Sequence, residues 1–378
     1  MRILVIAPEQ LPIPPIKGGS VETVIFEIFR RLSRMHSVVI ISRSHRRLPS
    51  VSSLNGGRLK IIRISASSRN NFMKKALQRV KGSTFHIIQI ENRPTFVPHV
   101  RRVFGHTPII LSLHSLTFMS QLSNLRAKSI LKLTNGVTTV SPFLTGALKR
   151  RFPAYGYKFR TAKLGVDTGK FRPRSHAFKQ RLRKKWGVSG TYNVLFVGRM
   201  VYGKGLHTLV KAVARIKRQY SNVRLIAIGS SWPGVRAYSP YIRRVHQLSK
   251  QLNVPIRFTG YIPPARIANL FHLADVFVCP SLYQEGFAMV NTEAMASSIP
   301  VIASRRGGIK RIIKHGKSGF LVSAYRSPKA FAKRLIQLKK SPSLSKKLAS
   351  GGRRRVVKEF SWSNTVNQLL SQYRKIQR

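Results

Sequence analysis

Short apolar runs alternate with longer amphipathic stretches from one end of the chain to the other. Runs at Ile3–Ala7, Val38–Ser42, Phe85–Ile90, Ile109–Leu113 and Val137–Val140 are rich in Val and Ile and bounded by Gly, Pro or Ser. The same pattern restarts after residue 190, with Val194–Gly198, Val223–Gly229, Ile256–Thr259, Val276–Cys279 and Val301–Ala303. Continuous apolar runs of this length predict parallel strands buried on both faces. Between them lie helical patterns. Val21, Val24, Ile25, Ile28 and Leu32 share one face, as do Leu206, Leu209, Val210, Val213 and Ile216. Strand–helix alternation predicts an α/β chain with two doubly wound, Rossmann-like domains. The stretch 171–190 is basic and polar and lacks a strand pattern, so the boundary is placed there. The domains expected are 1–170, 171–360 and a C-terminal helix in 361–378 that packs back toward the first. Sheets of this kind bind ligands at strand C-terminal ends, and a ligand in a central crevice between the two domains is the natural expectation.

A chain of 378 residues with 43% hydrophobic residues is long enough for two packed cores. No apolar run approaches the roughly 18 residues that span a bilayer, and the opening Met1–Pro8 reads as a first strand rather than a signal peptide. A single cysteine, Cys279, excludes an internal disulfide and suits a reducing cytoplasm.

Charge changes the picture. Seventy Lys and Arg stand against nine Asp and Glu, a formal net charge of +61. The excess runs along the whole chain, which fits either a plain basic surface or adhesion to a polyanion such as an anionic membrane or an envelope or coat polymer. No zinc-finger spacing, aromatic RNA-binding motif or basic zipper accompanies it, so no specific nucleic-acid partner is expected. Scarcity makes the acids informative, since a chain of this length ordinarily carries on the order of 40. They are Glu9, Glu22, Glu27, Glu91, Asp167, Asp275, Glu285, Glu293 and Glu359. With two aspartates far apart, no Asp-x-Asp pair exists, and a carboxylate-built metal site is not expected.

Three segments carry candidate chemistry. Gly18-Gly19 precede a helix after a Pro-rich turn, where backbone can approach an anion. Gly198-Arg199 end a buried strand, and Lys204-Gly205 follow before a helix, so two cations stand where a diphosphate can be neutralised. Pro280 to Ala296 runs from a strand end through Glu285 into a helix expected to start near Phe287. Its opening amides at Gly286, Phe287, Ala288, Met289 and Val290 can cradle a phosphate, and Glu293 lies one to two turns in. Each segment also has a plain structural reading as turn chemistry, a solvated cation or an acid favouring a helix dipole. The scarcity of acids weighs against that reading for Glu285 and Glu293.

Glu285 and Glu293 form the E-x7-E spacing of retaining GT-B glycosyltransferases of family 4, and the chain resembles that family over nearly its whole length. Gly198-Arg199 with Lys204-Gly205, Ala274 to Ser281, and Gly307-Gly308 with Gly316 and Gly319 also match. Within the family, Asn92 to Pro98, Leu111 to His114 and Ile228 to Trp232 resemble the spore coat-associated enzymes. The resemblance implies a metal-independent hexosyltransferase that retains anomeric configuration and needs no cofactor beyond its nucleotide-sugar substrate. It implies a carbohydrate, lipid-linked or protein acceptor and a cytoplasmic location, at most peripheral to membrane or spore coat. It also implies roles: Arg199 and Lys204 on the donor diphosphate, Glu285 on the donor sugar, Glu293 on the ribose, Gly18 and Gly19 by the phosphates and acceptor, and His114 beside the transferring sugar. Two positions depart from the pattern. Lys310-Arg311 stand where the family places Pro-Glu, and Glu22 lies one place beyond the usual acid, so only the glycines carry over there. The competing readings are a coat or surface protein that keeps the fold and acts by polyanion adhesion, and another GT-B enzyme such as a nucleotide-sugar epimerase.

Overall fold

The computed structural model describes residues 1–377. It divides into two compact units, one of Met1–Gly165 with the C-terminal segment that begins at Trp362, the other of Val166–Ser361. The basic stretch 171–190 lies inside the second unit, where His176–Lys185 forms a helix capped by the Ser175 side chain. The C-terminal helix Trp362–Gln377 packs on the helix Ser20–Leu32 of the first unit.

The first unit is built on eight strands: β1 Arg2–Ile6, β2 Ser37–Arg43, β3 Val51–Leu54, β4 Leu59–Ile64, β5 Ile87–Glu91, β6 Ile109–Leu113, β7 Gly136–Thr139 and β8 Phe159–Thr161. Their spatial order is β3-β4-β2-β1-β5-β6-β7-β8. All pairings are parallel except the β3–β4 hairpin. The second unit is a six-stranded parallel sheet of β9 Tyr192–Val197, β10 Val223–Ile228, β11 Ile256–Gly260, β12 Val276–Cys279, β13 Val301–Ser304 and β14 Phe320–Val322, ordered β11-β10-β9-β12-β13-β14. Each is the doubly wound α/β architecture that the alternating pattern predicts.

The central strands are buried on both faces, as their unbroken apolar runs require: Ile3, Leu4, Val5 and Val194, Leu195 are fully buried. Strands outside the apolar runs read from the sequence are edge strands or, in β4, a mixed one. β3 is largely exposed, β8 and β14 have three residues each, and β4 interleaves exposed Lys60 and buried Arg63 with its apolar residues.

The topology places one crevice in each sheet. In each sheet the strand order reverses next to the first strand, between β1 and β5 in one and between β9 and β12 in the other. At such switch points the loops after adjacent strands diverge and leave a crevice outside the strand carboxyl ends. The segments after β1, β5 and β6, and those after β9 and β12, hold the candidate residues.

Candidate functional site

In the second unit, three of the expected residues meet. β9 ends at Val197, and the chain then passes through Gly198 and exposed Arg199. The Arg199 guanidinium lies over the Trp232 ring, 5.4 Å from its centroid. Lys204 closes a short 3-10 turn, Tyr202–Lys204, and its Nζ donates to Glu285 Oε1 at 2.6 Å. The fully buried Ser281 donates to the same oxygen, also at 2.6 Å. Burial alone would push the Glu285 carboxyl up. Lys204, Ser281 and the charge of Arg199 outweigh it and hold the group below the usual carboxylate range. The result is an ionised carboxylate and an ammonium fixed side by side at the end of β12.

The loop carrying Glu285 is held from behind by Gly307-Gly308. The Gly308 amide donates to the Glu285 carbonyl at 2.7 Å, and the Gly307 amide to the Gln284 side chain at 3.0 Å. A Cβ on Gly308 would lie 2.1 Å from the Gly286 carbonyl oxygen, so no side chain fits there. Lys310 and Arg311, which depart from the family pattern, are both exposed.

The helix after this loop begins later than expected, at Met289 rather than near Phe287, and runs to Ala296. Ala288 precedes it in the left-handed region at φ 65°, which ends the loop before helical backbone can form. Phe287 is buried edge-on against Phe360 at 5.8 Å, so its side chain serves packing. Gly286, Phe287, Ala288, Met289 and Val290 thus form the loop and first turn, and only their backbone is available to an anion there. Glu293 lies on this helix, and the cation acting on it is Lys170 rather than Lys204. Burial pushes its carboxyl up to about 7, and the one charge opposing this is Lys170.

In the first unit a second polar cluster gathers after β1, β5 and β6. Gly18 and Gly19 both have positive φ before the helix Ser20–Leu32. A Cβ on Gly19 would meet Glu22 Oε2 at 2.2 Å, so glycine there makes room for a carboxylate. Glu22 itself is 4% exposed and sits on the helix's buried face. Burial raises its carboxyl to about 7, although its own backbone amide, His114 and Arg93 oppose the shift, while Glu9 adds to it. His114 Nε2 lies 2.8 Å from Glu91 Oε2, and its amide donates to Asn92 Oδ1 at 3.2 Å. Arg93, 1% exposed, donates from Nε and Nη2 to both Glu9 oxygens at 2.7 and 3.2 Å and lies over the Phe118 ring at 4.3 Å. That fork anchors the loop between β1 and Gly18-Gly19 to the end of β5. Three of the nine acids in the sequence, Glu9, Glu22 and Glu91, therefore converge here. Only their rarity could have marked them, because Glu22 follows helical spacing into an apolar stripe and Glu9 pairs with a residue 84 positions away.

Glu22 has a testable consequence. Its folded-state affinity for a proton exceeds that of the unfolded chain, whose carboxyl titrates near 4.5. Its contribution is therefore full below about pH 4.5 and lost as pH rises through about 7. The difference amounts to about 3 kcal/mol at 1.36 kcal/mol per unit. The melting temperature should fall between pH 5 and pH 8, and Glu22→Gln should flatten that slope. A slope identical in parent and variant would show that Glu22 does not titrate there.

Two Rossmann-like units in tandem, each with polar groups at its switch point, define the GT-B class of glycosyltransferases. HepE of Anabaena, solved in complex with UDP-glucose, is similar in fold, with a TM-score of 0.81, 18% identity, and coverage of 99% of this chain and 100% of that one. Residues 178–355 match the family model described as Glycosyl transferases group 1, and residues 18–170 that of Glycosyltransferase Family 4. The chain belongs to this family of transferases. It is similar to "Spore coat protein SA" of Bacillus subtilis (strain 168), 29% identical over 99% of this chain and 100% of the relative. It is also similar to "Putative glycosyltransferase YtcC" of the same strain, 28% identical over 100% of this chain and 92% of the relative.

Proposed function

We propose that this chain is a retaining, metal-independent glycosyltransferase that moves a sugar from a nucleotide-sugar donor to a cell-envelope or spore-coat acceptor. The observation that carries the reading is the Lys204–Glu285 pair, with Ser281, at the switch point of the second sheet. Departure of a sugar from a nucleotide diphosphate leaves negative charge growing on the diphosphate. Lys204 and Arg199, with the amides of the 286–290 segment, supply fixed positive potential for it. Glu285 orients the donor sugar, and the carboxyl of Glu293 takes the ribose hydroxyls. His114 stands by the transferring sugar, with Gly18 and Gly19 by the phosphates and acceptor. The second unit is thus the donor side and the first the acceptor side.

Support for a nucleotide-sugar donor comes from the UDP-glucose bound by HepE, and support for a coat setting from the B. subtilis relative's name as a spore coat protein. Among the described residues no three His, Cys, Asp or Glu side chains cluster to hold a metal ion, and no helix is long and apolar enough to cross a membrane. The single Cys279 supports work in a reducing cytoplasm, and the +61 charge supports contact with an anionic membrane or coat polymer. That charge also carries the second reading, a surface protein acting by polyanion adhesion alone. A thermal-shift screen of nucleoside diphosphates and their sugar conjugates separates the two. The transferase reading expects at least one diphosphate at 100 times its Kd to add about 2.7 kcal/mol of stability. A chain stabilised by polyanions and by no nucleotide would be an adhesion protein.

A further inference from the structure

A buried line of hydrogen bonds runs from the C-terminal helix to His114. The Tyr373 hydroxyl donates to Gln89 Oε1 at 2.5 Å, Gln89 Nε2 donates to Glu91 Oε1 at 2.5 Å, and His114 Nε2 meets Glu91 Oε2 at 2.8 Å. Tyr373, Gln89 and Glu91 are at most 1% exposed. Gln89 and Glu91 are two apart on β5 and so share a face of the strand.

We infer that Tyr373, acting through Gln89 and Glu91, is a positioning residue that fixes the tautomer and orientation of His114; the inference rests on the reading of His114 as a group beside the transferring sugar. Each link dictates the next. The phenol supplies one proton, so the carbonyl end of Gln89 faces it and the amide NH2 faces Glu91. Glu91 then accepts at both oxygens, which commits the Nε2 proton of His114 to it. The neutral ring keeps its lone pair on Nδ1, the form that can take a proton or accept a hydroxyl. Burial, reinforced by the charge of Glu91, pushes the Tyr373 phenol well above its ordinary value, so it remains a donor.

Anchoring the helix does not account for this line. The helix is already tied to β7, β8 and the chain beyond by Thr138–Gln372, Gln372–Thr161, Gln368–Lys163 and Thr365–Lys163 bonds. Its Val366, Leu369 and Leu370 are buried. A polar chain in the core is costly unless every member is satisfied, and an apolar pair would have held the helix as well.

The test uses the full chain with 15N-labelled histidine. The His114 ring signals are identified by their loss in His114→Ala, and the charged or ionisable groups around them are Glu91, Glu22, Arg93 and Glu9. The variants are Tyr373→Phe, which removes the phenol from the line, and the double Tyr373→Phe/Gln89→Leu, which also takes from Glu91 Oε1 its Gln89 donor. The melting temperature and the dispersion of the remaining histidine signals serve as the folding control. The parent should show an Nε2-protonated ring. Both variants should show a mixture of tautomers, with turnover of the donor sugar falling on the order of tenfold at unchanged KM. A His114 spectrum that matches the parent in both variants overturns the inference, as does a Tyr373→Phe variant that keeps the parent's turnover. Full transfer by His114→Ala would instead overturn the reading of His114, whatever the spectra show.

Discussion

Replacing Lys204 by alanine is expected to lower turnover on the order of 100-fold and to weaken binding of the nucleotide diphosphate. Its ammonium lies 2.6 Å from Glu285, within reach of the same switch point as Arg199. On the proposed reading it serves two anions, Glu285 in the protein and the charge that develops on the leaving group. Loss of a single preorganised donor to such a charge costs about 2.7–4 kcal/mol in transition-state stabilisation. The variant should also be less stable, because Glu285 would keep only Ser281 and the more distant Arg199 while burial still opposes its charge. Breaking a buried pair by removing one partner costs about 3–5 kcal/mol as an upper range, and the partial exposure of Lys204 places it below that. Two parts of this loss differ in pH dependence. In the parent, Glu285 is held below 4.5, so its contribution is present above that pH and lost as the solution is acidified. In Lys204→Ala that acid-side loss should shrink. Lys204→Arg should recover part of the binding. Diphosphate binding by Lys204→Ala equal to the parent's would remove Lys204 from the site.

Glu285→Gln should separate binding from transfer. The amide keeps the shape of the side chain and can still accept from Ser281 and Lys204. It loses the charge that, in the proposed function, orients the sugar. Turnover should therefore fall about 100-fold, while the nucleotide diphosphate binds at least as tightly, since the Lys204 ammonium is released from its carboxylate partner. Titration of the diphosphate into the folded variant beside a transfer assay reads both quantities. Full activity in Glu285→Gln would show that the carboxylate has no part in transfer.

Much of the fold was legible because parallel strands buried on both faces leave unbroken Val and Ile runs, such as Leu195–Val197 and Val276–Cys279. Arg199, just past the end of β9, was legible for the same reason, whereas Glu285, six residues past Cys279, was marked by the scarcity of acids and its spacing to Glu293. Their partners were less so. Nothing local links Lys204 to Glu285 across 81 positions, or Gln89 to Tyr373 across 284. The family resemblance brought the first pair into one site without giving the contact, and it was silent on the second. Glu22 is hidden because an acid at helical spacing within an apolar stripe ordinarily reads as a break in the stripe, and only the folded Gly19 shows the space it fills. The Asn55-Gly56 turn of the β3–β4 hairpin is a strong local signal, but β3 is too polar and exposed for its strand to register as an apolar run. The late start of the helix at Met289 comes from the left-handed Ala288, a conformation that alanine does not announce.

The central claim is that this chain catalyses sugar transfer from a nucleotide donor through cations of its own rather than a metal. The most direct measurement is release of free nucleotide diphosphate from a panel of nucleotide sugars, in excess chelator and again with magnesium or manganese, with Glu285→Gln as the control. The account predicts that at least one donor is consumed, at the same rate with and without metal, and that the control is nearly inactive. A folded chain that consumes no donor, or one whose turnover stops in chelator and returns with metal, would contradict it.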